Sequence, residues 1–427
     1  MTAFLCFASF LASAQCSGRF YDEIFTAKET RDVNFGRAEN KDLNMHIFQP
    51  EGDTASRRPL IILAFGGSFT AGFKDSPDIR TLCQEFARRG YVTATIDYRL
   101  NTGVIDSANM LKQVIKAVQD AKAAIRFFYK DAATTNTYRI DTNHIFMGGT
   151  SAGAFIGIHL GYVTDTLNLP QWMKEIIASV GDGLEGNSGN PGYSSRIHGI
   201  INLAGAIGDT AWIEPGEIPM VSMHGDQDGT VPYCSEIISV SGNELIVVDG
   251  SATMKARTAR LGIFNPFYTW RNADHVPYVN PLPPPFSNGP LYMDTTVWFI
   301  RDFLFKIMTG STCGQPLAAV GKVSAPCGYP IVEDTAQTGI TQHIWSENFA
   351  VYPNPSSNMV YVEKPSILKG AADVEIYNNI GKLVKSIRNV ESKIVLSKDE
   401  LGSGLFIVTL IPHDKNFGAG RTQIVLQ

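Results

Sequence analysis

From Leu43 to Met308 the chain alternates short runs rich in Val, Ile and Leu with longer stretches whose apolar residues recur at helical spacing, and this alternation limits the fold most. The apolar runs are "LNMHIF", "PLIILAF", "YVTATIDY", "HIFMGG", "IHGIINLAG", "IPMVSMHG" and "FYTW". Between the third and fourth, Leu111, Val114, Ile115, Val118, Ile125 and Phe128 share one helical face, which predicts an amphipathic helix over 107–129. "DTTVWFIRDFLFKIM" predicts a closing helix. Strands that are apolar on both faces and separated by helices belong in a mostly parallel sheet covered on both sides. The expected class is α/β.

A chain of 427 residues exceeds what one hydrophobic core usually holds, and the texture changes after this region. Residues 311–345 carry glycines, prolines and two cysteines without clear periodicity, as a linker would. Beyond them "FAVYPNP", "MVYVEKP", "ADVEIYNN", "KLVKSI", "KIVLS", "GLFIVTL" and "RTQIVLQ" are short strand patterns separated by turn residues, with no helix between them. That spacing predicts a small antiparallel β-sandwich over 346–427.

The N-terminus, "MTAFLCFASFLASAQCSGRF", has an apolar run from Phe4 to Leu11 and then the small-x-small pattern Ala12-Ser13-Ala14. This reads as a signal peptide over 1–14 with a mature start near Gln15, leaving 15–310 for the α/β domain. It has no basic residue near Met1, so the true start codon stays open. The run is too short to span a bilayer, and we expect no transmembrane segment. Export permits disulfides, and without Cys6 the odd set Cys16, Cys83, Cys234, Cys313 and Cys327 remains. We expect Cys16 to pair with Cys83 and Cys313 with Cys327, the latter closing a loop of about 15 residues and contributing roughly 3 kcal/mol. Thirty-six basic against 41 acidic residues give a net charge of −5, and no basic block could neutralise a phosphate backbone. Nucleic acid is therefore not an expected partner, and no His/Cys spacing suggests a metal site.

Gly149-Thr150-Ser151-Ala152-Gly153 is a G-x-S-x-G pattern between a strand-like "HIFMGG" and a small-residue helix start, "AGAFIGIHLGY". In that setting a tight turn pushes the serine hydroxyl out above the sheet. A serine needs a base, and the base needs an orienting carboxylate. "MHGDQDGTVPY" offers Asp228, with Asp226 as the neighbouring alternative, and "FYTWRNADHVPY" offers His275. His144, His159, His198 and His224 lie within strand or helix patterns and are read as packing or locally bonded residues. Backbone donors for an oxyanion are expected from Ala152, at the helix start, and from Gly67 and Ser68 in "ILAFGGSFTAG". Phe69, Trp172, Met173 and Tyr233 are the candidate pocket residues.

Together these motifs resemble an α/β-hydrolase of the carboxylesterase and feruloyl-esterase type over residues 20–310. "FGGSF" is similar to that family's HGG(G/S)F oxyanion loop, "GTSAG" to its elbow, "HGDQDGTVP" to its acid loop and "NADH" to its histidine. The departure is Phe65, where the family usually has histidine, which bears on loop geometry more than on catalysis. The tail from Phe349 resembles the C-terminal sorting domain of the type IX secretion system of Bacteroidetes, carried by "YPNPSSNMVYVE", "VEIYNNIGKLV" and "LGSGLFIVTL". A carbohydrate-binding sandwich competes with that reading, but the tail has no tryptophan to stack on a sugar.

The resemblance implies a secreted or cell-surface serine carboxylic-ester hydrolase, exported through the periplasm with the secretion machinery as partner of its tail. Ser151, His275 and Asp228 would act as nucleophile, base and orienting acid, without metal or organic cofactor. Its substrates would be short-chain, aryl or polymer-linked esters, polysaccharide acetyl and feruloyl esters and polyesters among them. A serine peptidase on the same fold, or a noncatalytic binding protein on that scaffold, is the alternative.

Overall fold

The computed structural model describes residues 16–312 except 168 and 280–287, then Cys327, then 349–426 except 350, 353, 355, 366, 367, 369, 379–382 and 414–419. The expected signal peptide and most of the expected linker, Cys313 included, lie outside the described residues. The chain divides into two compact units, Met1–Asp334 and Thr335–Gln427.

In chain order the first unit contains β1 (Ala27–Ala38), β2 (Lys41–Pro50), β3 (Arg58–Ala64), α1 (Pro77–Arg88), β4 (Val92–Ile96), α2 (Ser107–Ala133), β5 (Ile140–Thr150), α3 (Ala152–Tyr162) and α4 (Gln171–Val180). It continues with β6 (Gly199–Leu203), β7 (Ala206–Ile207), β8 (Met220–Gly225), β9 (Ser235–Val240), β10 (Asn243–Gly250), α5 (Ser251–Arg260), β11 (Phe267–Trp270) and α6 (Gly289–Thr309). Eight strands form one sheet in the order β1-β2-β4-β3-β5-β6-β8-β11. β1 and β2 run antiparallel to their neighbours, and from β4 to β11 every pairing is parallel. Every residue of β3, β4, β6 and β8 is buried, as expected of strands covered on both faces. This is the α/β-hydrolase fold.

The register brings the ends of the parallel strands level. Ala64 pairs with Gly149, Gly149 with Asn202, Asn202 with Ser222 and Gly225 with Trp270. The loops after β3, β5, β8 and β11 therefore leave from the same carboxyl edge, where open α/β sheets place their sites.

Two features escape the sequence pattern. β1 is an edge strand with a single buried residue, without the apolar alternation that would mark it. β9 and β10 form a hairpin joined at Ser241-Gly242, both with positive φ (51° and 79°), and pair through β10 with β7 as a separate three-stranded sheet. A two-residue loop of that conformation matches the twist of paired strands.

The expected disulfides are corrected. Cys234, just before β9, bonds to Cys327 across 93 residues of sequence. Cys83 is a free thiol on the buried face of α1, and its burial pushes its pKa up to about 12. Cys16 is disulfide-bonded, but not to Cys83. Spacing favoured the short loop between Cys313 and Cys327; the fold instead brings Cys327 into the apolar cluster of Tyr233, Cys234, Ala252 and Phe267.

The second unit contains β12 (Val351–Tyr352), β13 (Met359–Glu363), β14 (Ala372–Asn378), β15 (Leu383–Val390), β16 (Lys393–Ser397), β17 (Gly404–Pro412) and β18 (Gly420–Leu426). They form two antiparallel sheets, β12-β13-β16 and β15-β14-β17-β18. Val360, Val362 and Leu396 of the first share a core with Val374, Ile376, Val408 and Ile424 of the second. The result is a β-sandwich.

Candidate active site

Ser151 sits between the last residue of β5 and the first of α3, with φ 53° and ψ −116°. A non-glycine residue holds such a conformation only where its surroundings enforce it. They do so here through small neighbours. A Cβ on Gly149 or on Gly153 would collide with the Ala64 carbonyl of β3, so both positions admit the close passage only as glycine. The Ser151 amide donates to the Leu203 carbonyl at 2.8 Å, and its own carbonyl accepts from Ala154 and Phe155 at 2.8 and 3.0 Å. The turn is thus bonded on both sides.

The loop after β3 lies against this turn, since a Cβ on Gly66 would come within 3.2 Å of the Ser151 Cβ. Gly67, Ser68 and Phe69 have successive positive φ values of 124°, 53° and 60°. The Gly67 carbonyl is turned away by bonds from the Thr70 and Ala71 amides, 3.0 Å each. Among the described residues, the amides of Gly67, Ser68 and Ala152 donate to no protein acceptor. Phe65 is buried with its ring stacked on Tyr98 at 4.2 Å, while Tyr98 Oη donates to the Phe65 carbonyl at 2.9 Å. Phe65, the departure from the resembled oxyanion-loop pattern, is therefore a packing anchor for the loop.

Asp228 lies in the turn after β8 with its side chain fully buried. Its Oδ1 accepts from the Thr230 and Val231 amides at 2.9 and 2.8 Å. Its Oδ2 accepts from His275 Nδ1 at 2.7 Å and from His224 Nε2 at 3.0 Å. Burial alone would raise the Asp228 pKa, but the two histidine hydrogen bonds outweigh it and hold the carboxyl well below its usual range. Asp226 takes a different part: it accepts from the Asn272 amide at 2.7 Å and from Arg271 at 3.3 Å, bracing the loop that leads to His275. Asp274 adds a further tie, accepting from the Gly229 and His275 amides at 3.0 and 2.7 Å.

The structure joins His275 to Asp228, whereas among the described residues the Ser151 hydroxyl has no hydrogen bond to the His275 ring. Such contacts tighten when substrate binds. The two loops are connected nearby. Tyr278, three residues beyond His275, places its hydroxyl 2.9 Å from Thr150 Oγ1, and Thr150 Oγ1 donates to Asp78 Oδ2 at 2.6 Å.

Sequence reasoning gave two of these residues, Tyr278 and Asp78, no role, and it read His224 only as packing or locally bonded, without naming Asp228 as its partner. His224 is fully buried, and its Nε2 faces two acceptors, Asp228 Oδ2 and the Val231 carbonyl at 3.1 Å, so that nitrogen carries the proton. Its Nδ1 is 2.8 Å from Ser251 Oγ, which in turn accepts from Asn202 Nδ2 at 3.0 Å. The available signal was the four-residue spacing of His224 and Asp228 in "HGDQD". Tyr278 and Asp78 carry no sequence signal, because their meeting at Thr150 depends on the folding of three distant segments.

Beside Ser151 opens a narrow cavity. Phe69 lines it together with Ser68, Ser151 and Ala152. Trp172, on α4, is half exposed, Met173 is buried there, and Tyr233 bonds through its hydroxyl to Thr269 at 2.7 Å; none of these three lines the cavity. Glu29, His46 and Asp75 bring potential metal ligands together, but Arg80 and Arg31 already pair with both carboxylates.

Residues 45–206 match the BD-FAE family, and residues 350–418 match the Secretion system C-terminal sorting domain. The chain thus carries a BD-FAE domain followed by a secretion-system sorting domain. No curated protein matches the chain. Among solved structures it is similar to Thermogutta terrifontis esterase 2 phosphorylated by paraoxon, at 20% identity and TM-score 0.49 over 68% of this chain and 97% of that one. The propionate-bound form of that esterase, from a Planctomycetes species, matches at 20% identity and TM-score 0.48 over 70% of this chain and 99% of that one. Its butyrate-bound form matches at 21% identity and TM-score 0.47 over 68% and 97%. Among the described residues no helix is long and apolar enough to cross a membrane.

Proposed function

We propose that the first unit is a serine carboxylic-ester hydrolase and that the second directs its export to the cell surface or beyond. Ser151 attacks the ester carbonyl while His275 takes its proton, then returns that proton to the departing alcohol. Asp228, ionised by its four hydrogen-bond donors, holds His275 with Nδ1 protonated and Nε2 free to act as base. Water repeats the sequence on the acyl-enzyme. The amides of Gly67, Ser68 and Ala152 receive the developing oxyanion, a role in which one donor is worth about 3 to 4 kcal/mol of transition-state stabilisation.

The observation that carries this reading is the 2.7 Å bond between Asp228 and His275, two residues on loops from neighbouring strands at the same sheet edge as the strained Ser151 turn. The test is hydrolysis of 4-nitrophenyl butyrate beside a panel of peptide amides. Ester turnover that disappears in a folded Ser151→Ala protein supports the proposal. Turnover of amides alone, or full ester turnover without Ser151, would refute it.

The sorting-domain match supports the role of the tail. A chain ending near Asp334, which keeps Cys327 for its bond to Cys234, should keep ester turnover yet stay out of the medium and off the cell surface; normal export of that truncated chain would count against this part.

A further inference from the structure

The cavity beside Ser151 has a chemical gradient. Its polar lining near the reacting atoms comes from Ser68, Ser151 and Thr230, on three of the four loops of the sheet edge. Away from them the walls are mainly aliphatic, with the rings of Phe69 and Phe155 and the hydroxyl of Ser239 among them. Helix α2 contributes Met110, Leu111 and Val114, and the β9–β10 hairpin contributes Ile238, Leu245 and Val248. Among the described residues, no charged side chain, side-chain amide or ring N–H faces the space. Ser107 also lines it, but its hydroxyl donates to the Leu245 carbonyl at 2.8 Å, which fastens the start of α2 to the hairpin and makes the two walls one slot. The hairpin is braced at its base as well. Asp249 of β10 accepts from the Thr210 amide at 2.7 Å, and Cys234 is tied to Cys327.

From this geometry we infer that the slot receives the acyl chain of an aliphatic ester of medium length, so that α2 and the hairpin set acyl specificity. The inference rests on the ester-hydrolase reading. It is the acyl side because the leaving alcohol must reach the His275 ring for its proton, and His275 does not line the slot, whereas the candidate oxyanion residues Ser68 and Ala152 do. It is an aliphatic chain because each buried methylene gains free energy against such walls, while the phenol and methoxy oxygens of a feruloyl group would lose water among them with few partners.

The experiment compares kcat/KM for 4-nitrophenyl acetate, butyrate, hexanoate and octanoate, for acetate esters of alcohols of increasing length, and for methyl ferulate against methyl hexanoate. The expected result is a rise of up to about fourfold per methylene of the acyl series from acetate to hexanoate, a weaker trend in the alcohol series, and preference for methyl hexanoate. In Leu111→Trp, which fills the slot from α2, the hexanoate-to-acetate ratio should fall at least roughly tenfold, and in Leu111→Ala the best chain should lengthen. A flat acyl series, a steeper alcohol series, faster turnover of methyl ferulate, or an unchanged ratio in a folded Leu111→Trp protein would each overturn the inference. Those outcomes leave the hydrolase reading standing. Failure to hydrolyse any ester would overturn both.

Discussion

Tyr278 Oη lies 2.9 Å from Thr150 Oγ1, so the segment that carries His275 is fastened to the residue just before Ser151. Thr150 gives its own proton to Asp78, which makes Tyr278 the donor in that bond. Helix α1, the Ser151 turn and the His275 loop therefore meet at one buried hydroxyl. Changing Tyr278 to Phe keeps the ring and its packing on Trp270 but removes the donor. The expected loss is about 1 kcal/mol of stability, together with a fall in kcat for ester hydrolysis. Calorimetry and steady-state kinetics on Tyr278→Phe check it; unchanged kcat would show that the clamp does not position His275.

Asp78, at the other end of that chain, is buried, and burial raises its pKa above the usual carboxylate range. A carboxyl raised in the folded state binds more protons than in the unfolded chain, so its contribution to stability is complete below the unfolded pKa of about 4 and is lost as pH climbs through the higher folded value. Asp78→Asn should flatten the decline in Tm above pH 4. Parallel Tm profiles for the variant and the natural protein would contradict this.

Asp228 has the opposite sign. Its pKa is depressed in the fold, so its stabilisation is present above the unfolded carboxylate pKa and disappears as pH falls through the folded one. It stays ionised throughout any neutral assay. Asp228→Asn should lower kcat by roughly four orders of magnitude, because His275 loses the acceptor that fixes its tautomer. Asp226→Asn should lose far less, since Asp226 only braces residues 271–272. Equal losses in the two variants would reassign the acid.

Removing His224 strips Asp228 of one of its two histidine donors and leaves Ser251 without its ring partner. A hydrogen bond to a charged group is worth about 1.5 to 3 kcal/mol, and His224→Ala should cost at least that. With one donor gone the Asp228 pKa moves back up, so the acid-unfolding midpoint should also shift to higher pH. A variant as acid-stable as the natural protein would show that His224 is only a packing residue.

How much of this is readable in the sequence depends on how local each feature is. The turn at Ser151 is legible because Gly149 and Gly153, which it needs sterically, lie within two residues of it. The α/β class is legible because strands buried on both faces, such as "PLIILAF", have few other environments. β1 is not, because an edge strand with a single buried residue needs no apolar alternation. The hairpin could have been read from Ser241-Gly242 between "EIISV" and "NELIVV", yet its meaning as a cavity wall depends on its contact with α2, more than a hundred residues away. The disulfides fail for the same reason, since spacing favours near cysteines and the fold unites Cys234 with Cys327. Trp172 is a pocket candidate from its place in the long segment after the nucleophile helix, but the surface it occupies is set by where α4 docks.

The central claim, that Ser151 is the nucleophile, is tested most directly by covalent labelling with a fluorophosphonate followed by mass spectrometry of the digested protein. The account predicts a single adduct on the peptide containing Ser151, formed in step with loss of esterase activity, and abolished in Ser151→Ala. An adduct on another residue, formed in step with that loss and retained in Ser151→Ala, would contradict it.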